Sequence, residues 1–263
     1  MDRPVTITVL RGRTSDRSPY GTAGAELLGP LLGDDVRMVG EPSPPVVQNW
    51  AEDLRAAQPV LEAAAAAMAE PAPVLVAAQC SIAIATLPVL AARDPGAVVV
   101  WLDAHGDFNT PATSASGYLG GMPLAAACGV WESGHGAGVD PARVVLSDAR
   151  DLDPEERQAL DDAGVRRVAP REVAAAVAGE RVFLHLDVDI LDPGVMAAAV
   201  PAPGGLRLDE LAEVLRDLGG AAEIVGLEVT AFDDPAPERL AGPLAQAIAP
   251  VLPPGLAPGP RVM

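Results

Sequence analysis

The chain has 263 residues, 49% of them apolar, and 36 acidic against 18 basic side chains give it a net charge of -18. Such an acidic surface repels phosphate and argues against a nucleic-acid partner, and no apolar run reaches the roughly 18 uninterrupted residues that a membrane span requires. Two cysteines, Cys80 and Cys128, make no disulfide framework and suit a reducing, cytoplasmic compartment, with a small molecule as the expected partner.

The start, MDRPVTITVLRGR, turns polar too soon for a signal peptide, and its run from Val5 to Leu10 predicts the first strand. A polar turn from Gly12 to Gly21, a helix over Ala23 to Leu32 and a strand over Val36 to Val39 follow. Proline then keeps GEPSPPVV extended, and an alanine-rich helix runs from Trp50 to Glu70. Val74 to Ala78 reads as a buried strand that passes through Gln79, Cys80 and Ser81 into the helical pattern IAIATLPVLAARD. The alternation continues with strands at 97–102, 143–147, 165–168, 181–187 and 223–229, and helices at 122–128, 154–163, 170–178, 208–218 and 238–248. The tail LPPGLAPGPRVM predicts a surface strap or disorder.

This βαβα order predicts a parallel sheet with helices on both faces, in one domain over residues 1–263. In such sheets the ligand sits outside the carboxyl ends of the strands, near the point where strand order reverses. Cys80, the Asp103-Ala-His105-Gly-Asp107 run, Asp153 and the Asp187-Val-Asp189 pair all follow apolar runs, so one crevice can collect them. Carboxylates and imidazole suit divalent cations, although the first triplet alone also fits a polar loop with a satisfied histidine. The pair Asp187 and Asp189, pointing the same way if the strand continues, is costly to desolvate without a positive neutraliser, and little arginine and no lysine stand nearby in sequence.

With these residues the chain resembles the arginase (ureohydrolase) family. Asp103-Ala-His105-Gly-Asp107-Phe-Asn109-Thr-Pro stands for its DAHxDxNTP motif and Asp187-Val-Asp189-Ile-Leu-Asp192-Pro193 for its DVDxxDP motif. The resemblance implies a three-layer α/β/α fold with a central, mainly parallel sheet of about eight strands, and a site for two manganese ions (Mn2+) that act as Lewis acid and water activator. By the same resemblance Asp103 and Asp187 bridge the metals, His105 and Asp189 complete one site, and Asp107 serves the other and handles a proton as the catalytic residue. Asn109 and Ser116 match positions that hold a substrate α-carboxylate, and Asp153 and Glu156 match those facing an α-amino group, which together imply an amino-acid substrate. Asp153-Pro154 also fits a plain helix N-cap with proline at N1. Glu228 is placed to orient a metal ligand from behind.

Several positions depart from the family pattern. Cys80, in Ala77-Ala78-Gln79-Cys80-Ser81, stands where GGDHS has its histidine ligand. A thiol is a poor manganese ligand, so one metal would be weakly held; alternatively Cys80 is a small buried apolar residue. Gly120 replaces a proton-shuttling histidine, Tyr118 an asparagine that binds carboxylate, and Ala231 the glutamate that grips a guanidinium. A guanidinium cation needs a carboxylate and its leaving nitrogen needs an acid, whereas an N-hydroxyguanidine is less basic and can bind neutral.

The wording of the loops resembles the branch of the family that hydrolyses N-omega-hydroxy-L-arginine, known from D-cycloserine biosynthesis, which implies ornithine and hydroxyurea as products. The alternatives are an arginase with a modified proton relay and a non-catalytic metal or amino-acid binding protein. His135 fits a loop or gating role, His185 either core packing or support of the acidic pair, and Cys128 the core. Self-association is compatible with all of these.

Overall fold

A computed structural model describes residues 6–42 and 49–253. The expected strand start at Val5, residues 43–47 of the proline-rich loop and the tail from 254 onward lie outside the described residues. The elements follow the predicted alternation. They are β1 (Ile7–Leu10), α1 (Gly21–Leu32), β2 (Val36–Val39), α2 (Trp50–Met68), β3 (Val74–Ala77), α3 (Ala83–Arg93), β4 (Val98–Asp103) and α4 (Pro123–Ala127). Then come β5 (Val144–Asp148), α5 (Pro154–Ala163), β6 (Arg166–Val168), α6 (Val173–Ala176), β7 (Arg181–Asp187), α7 (Leu208–Ala221), β8 (Glu223–Thr230) and α8 (Glu238–Ile248). The expected helix at 170–178 is broken into a 3-10 turn, Pro170–Glu172, and the single turn of α6. Gly179, with φ +78°, follows it as a left-handed stop.

The eight strands form one sheet in the order β2-β1-β3-β8-β7-β4-β5-β6, and every pairing is parallel. The chain starts at β1, adds β2 at the edge and β3 on the inner side, then runs outward from β4 through β5 to β6, and β7 and β8 fill the gap between β4 and β3. The order therefore reverses at the centre, where β3, β8, β7 and β4 end together.

Parallel sheets are covered on both faces, so their central strands are near-continuous apolar runs instead of alternating with polar residues. Val98, Val100 and Leu102 of β4 and Val182, Leu184 and Leu186 of β7 cluster with Leu28 of α1, Leu215 of α7 and Leu244 of α8. The intervening Val99, Trp101 and Phe183 cluster with Met68 of α2, Leu87 of α3, Leu124 of α4 and Leu160 of α5. Cys128, half-buried, packs against this second cluster. Among the described residues no helix is long and apolar enough to cross a membrane.

One contact fixes the rim of the sheet. A Cβ built on Gly24 of α1 would lie 2.0 Å from the Phe232 carbonyl oxygen, so the helix backbone rests directly on the segment that leaves β8. Gly24→Ala is expected to destabilise the protein by about 1–3 kcal/mol through forced backbone displacement. Gly220→Ala, in a helix position with nothing within 4 Å, should stabilise by about 0.5–1 kcal/mol. Urea titrations of the two variants check the contrast, and equal effects would show that α1 has room to shift.

Candidate active site

At the central reversal a cavity of about 200 Å³ opens over the strand ends. Of the residues picked out from the sequence, Cys80, His105, Asp107, Asn109, Ser116, Asp153, Glu156, Asp187 and Asp189 line it. Asp103 and Glu228 do not line it but lie buried beneath, at 1% and 0% exposure. His135 is elsewhere, its Nε2 paired with Gln58 Nε2 at 3.0 Å.

Each acidic side chain is set by the end of its strand. Asp103 closes β4: its Oδ1 accepts the backbone N–H of His105 at 2.7 Å and its Oδ2 the indole N–H of Trp101 at 2.9 Å. The His105 ring lies in the turn beyond, with Nδ1 3.0 Å from Asp189 Oδ2 and 3.4 Å from Asp103 Oδ1. Asp107 takes a left-handed φ of +50°, and its carbonyl accepts from Leu124 and Ala125 at the start of α4. Such a conformation is costly for a residue with a side chain and persists where the surroundings enforce it. Gly106 is required by proximity, since a Cβ there would come within 2.8 Å of Glu156 Oε1 and 2.6 Å of Leu152 Cδ2.

The second pair is not carried by a continuing strand, as alternation had suggested. β7 ends at Asp187 and the chain turns into a 3-10 segment, Val188–Ile190, that contains Asp189. Asp187 Oδ1 accepts the Asp189 N–H at 2.7 Å, so the turn itself aims Asp189 back at His105. A capping bond replaces the strand period here.

Cys80 opens the 3-10 segment after β3, and its thiol donates to Asp187 Oδ2 at 2.7 Å. Thr230 Oγ1 lies 3.1 Å and His185 Nε2 3.3 Å from the sulfur. The His185 ring stacks on Trp101 with centroids 3.6 Å apart, and its Nδ1 lies 3.0 Å from Glu228 Oε2. Glu228 thus reaches the cavity floor through His185.

Electrostatics sharpen the picture. Burial, reinforced by the neighbouring carboxylates, pushes Asp107 and Asp187 well above the usual carboxylate range and raises Asp103. Burial opposes protonation of His105, but its hydrogen bonds to Asp103 and Asp189 outweigh this and push it up to about 12. Burial acts to raise Asp189 as well, yet the His105 hydrogen bond holds it below its ordinary value. The Cys80 thiol is driven well up by burial and then by Asp187.

Four buried carboxylates therefore share one imidazolium, and Arg150 spends its guanidinium on Asp148 and on the carbonyls of Asp189 and Ala202. His105 Nε2 and Asp107 Oδ2 are buried without a hydrogen-bond partner among the described residues. Candidate ligand atoms of Asp103, His105 and Asp189 lie within 4.8 Å of one another, as do those of Cys80, Asp103 and His185. The donor set fits divalent cations, which would replace the protons that this cluster otherwise retains.

Nearer the mouth, Asn109 Oδ1 accepts from Thr113 Oγ1 at 3.1 Å, and its Nδ2 lies 3.5 Å from Asp153 Oδ2. Asp153 occupies the N-cap position of α5 with Pro154 next, but its side chain makes no cap hydrogen bond, so it remains turned to the cavity side. Glu156 Oε1 accepts the Phe108 N–H at 2.8 Å, and burial pushes its carboxyl up to about 7.

A profile described as the Arginase family matches residues 35–239. The chain belongs to the arginase family. It is 38% identical to an N(omega)-hydroxy-L-arginine amidinohydrolase of Streptomyces lavendulae over 94% of each chain. It is also 34% identical to an arginase of Bacillus subtilis over 56% of this chain and 57% of that protein. In structure it superposes on the arginase of Bacillus caldovelox with a TM-score of 0.78 at 26% identity, covering 95% of this chain and 98% of that one. The eight-stranded parallel α/β/α architecture is that of the family.

Within this family frame, the structure adds wall residues that sequence reasoning had not assigned. Gln79, Asp151 and Asp233 line the cavity, and Tyr118, noted only as a departure, closes one side. Asp233 follows Ala231, itself left-handed at φ +56°, and burial pushes its carboxyl up to about 7. The segment FDDP at the end of the last strand was the signal available for it. A Cβ built on Gly120 would lie 2.5 Å from both Cε1 and Cζ of Tyr118, so the tyrosine ring occupies the volume of a side chain at position 120. The two departures are one packing unit. Gly120→Ala is expected to destabilise by about 1–3 kcal/mol, and the same change in a Tyr118→Ala background should cost less, with a coupling of about 0.5–3 kcal/mol. Equal costs in the two backgrounds, measured by denaturant unfolding, would refute the shared volume.

Proposed function

We propose that this arginase-family hydrolase is a manganese-dependent amidinohydrolase that cleaves N-omega-hydroxy-L-arginine to L-ornithine and hydroxyurea. The observation that carries the reading is the cavity wall facing the guanidino end. Ala231 stands there without a carboxylate, and the Tyr118 ring takes the space that an imidazole at position 120 would need. Position 231 offers no carboxylate to a guanidinium cation, whose burial unpaired is costly, and the nearby Asp233 already accepts from Gln79, so the wall suits a neutral hydroxyguanidine better than a cation. The similarity to the Streptomyces lavendulae protein supports the same substrate.

Asp103, His105, Asp107, Asp187, Asp189 and Cys80 would hold two manganese ions, one of them weakly because Cys80 presents a protonated, buried thiol. When bound, the metals supply Lewis-acid polarisation of the substrate and activation of water. Asn109 and Ser116 orient the α-carboxylate from the mouth, and Asp153 and Glu156 face the α-amino group. Asp107, buried with Oδ2 unpartnered, holds the proton released by the attacking water. Addition of water across the C–N bond breaks the link to the side-chain nitrogen, and that nitrogen leaves as the ornithine amine. Glu228 acts through His185, fixing the ring that backs Cys80. The continuous sheet from β2 to β6 supports residues 1–263 acting as one domain, and the poverty in cysteine supports a reducing, cytoplasmic setting.

Manganese-loaded protein is expected to release hydroxyurea from N-omega-hydroxy-L-arginine faster than urea from L-arginine, with both products quantified by mass spectrometry; the reverse order would assign an arginase. Cys80→His is expected to raise manganese per chain in elemental analysis after desalting. Unchanged occupancy would remove Cys80 from the ligand set.

A further inference from the structure

The Tyr118 ring fills the space beside Gly120. Its hydroxyl has a defined chemical direction. Gln79 Nε2 donates to Asp233 Oδ2 at 3.2 Å, which leaves the amide oxygen of Gln79 turned away from that carboxyl group. That oxygen, Oε1, accepts the Tyr118 hydroxyl proton. With its one proton committed to Gln79, the phenol oxygen acts only as an acceptor, toward the Ser15 hydroxyl that also reaches it and toward the cavity that Tyr118 lines.

The ring is held in this pose. The Arg17 guanidinium carbon lies 4.2 Å from its centroid, and the same arginine donates to the Ser116 carbonyl at 3.4 Å. Gly120 beneath leaves the ring its space. Gln79, Tyr118 and Asp233 therefore form a wall with a fixed hydrogen-bond polarity, running from tyrosine through glutamine to aspartate.

We propose that the Tyr118 hydroxyl oxygen is a specificity-determining acceptor that takes the N–O–H proton of a hydroxylated guanidine. The inference deepens the hydroxyarginine reading and rests on it. An oxime-type hydroxyl projects one bond beyond the guanidino nitrogen and brings a donor that the parent guanidine lacks. A neutral acceptor compensates such a neutral donor but does little for a buried cation, which needs an opposite charge. A site built around a substrate hydroxyl discriminates strongly against the analogue without it, because its own polar group is then left unpaired.

Tyr118→Phe tests the assignment, because it keeps the ring over Gly120 and removes only the oxygen. Manganese-loaded Y118F is expected to lose roughly 10- to 100-fold in kcat/KM for N-omega-hydroxy-L-arginine, chiefly as a raised KM, with little change for L-arginine. The preference between the two substrates then collapses while the thermal midpoint stays close to wild type. Gln79→Leu, which frees the phenol to rotate, is expected to erode the same preference less. Unchanged preference in Y118F, or equal losses on both substrates, would overturn the role of the hydroxyl while leaving the functional reading intact. Failure of the wild-type protein to release hydroxyurea would overturn that reading and this inference with it.

Discussion

The structure depends on keeping several carboxylates together in a place where water cannot screen them. Asp103, Asp107, Asp187 and Asp189 are all at or below 6% exposure, and mutual repulsion at low dielectric favours their protonated forms. Of these four, Asp189 is held below its ordinary carboxylate range, through its hydrogen bond to His105. Everything around the cluster acts to hold it in place. Trp101 fixes Asp103 from the strand below, the 3-10 turn after β7 fixes Asp189 against Asp187, and the start of α4 binds the carbonyl of a strained Asp107. Such an assembly is stable when a cation enters it, so metal binding and the rigidity of this rim are linked.

The sheet topology explains why these residues meet although they lie far apart in sequence. β3, β8, β7 and β4 are neighbours in space, and their ends bring Cys80, Ala231, Asp187 and Asp103 to one rim. The Trp101 and His185 rings, on adjacent strands, stack beneath that rim and carry Glu228 behind them. Trp101 and His185 are register partners in the β4–β7 ladder, so a single slip in pairing would dismantle both the stack and the acid cluster above it. Register is specified by function as well as by packing.

Much of this was legible in the sequence because it repeats on periods that physics imposes. Short apolar runs separated by helical patterns gave the eight strands and their parallel class, and acidic residues at the ends of VVVWLD and VFLHLD located the crevice. The features that escaped reading depend on contacts between distant segments. Asp189 is aimed by a cap from Asp187 and not by strand alternation, and Asp153 sits at an N-cap without making the cap bond. Asp233 had only the FDDP segment at a strand end to announce it, and its place on the wall is set by Gln79, 154 residues earlier in the chain. Tyr118 looked like a loss at one position and Gly120 like a loss at another; only three-dimensional packing shows that each accounts for the other.

That coupling bears on how the specificity of the site is constituted. Removing a side chain at 120 and the carboxylate at 231 would on its own leave a larger, wetter cavity with weaker hold on any substrate. Tyr118 instead refills the volume, and Gln79 and Asp233 tie its hydroxyl into a directed chain, so a side chain at 120 and a carboxylate at 231 are exchanged for a shaped wall with a fixed hydrogen-bond polarity. Such an exchange acts in two ways, withholding a counter-charge at position 231 from a strongly basic head group and offering the Tyr118 oxygen to a substrate hydroxyl. Restoring either residue alone would not recover a cation site: a side chain at 120 meets the Tyr118 ring, and a carboxylate at 231 would share the cavity with Asp233 and Asp187.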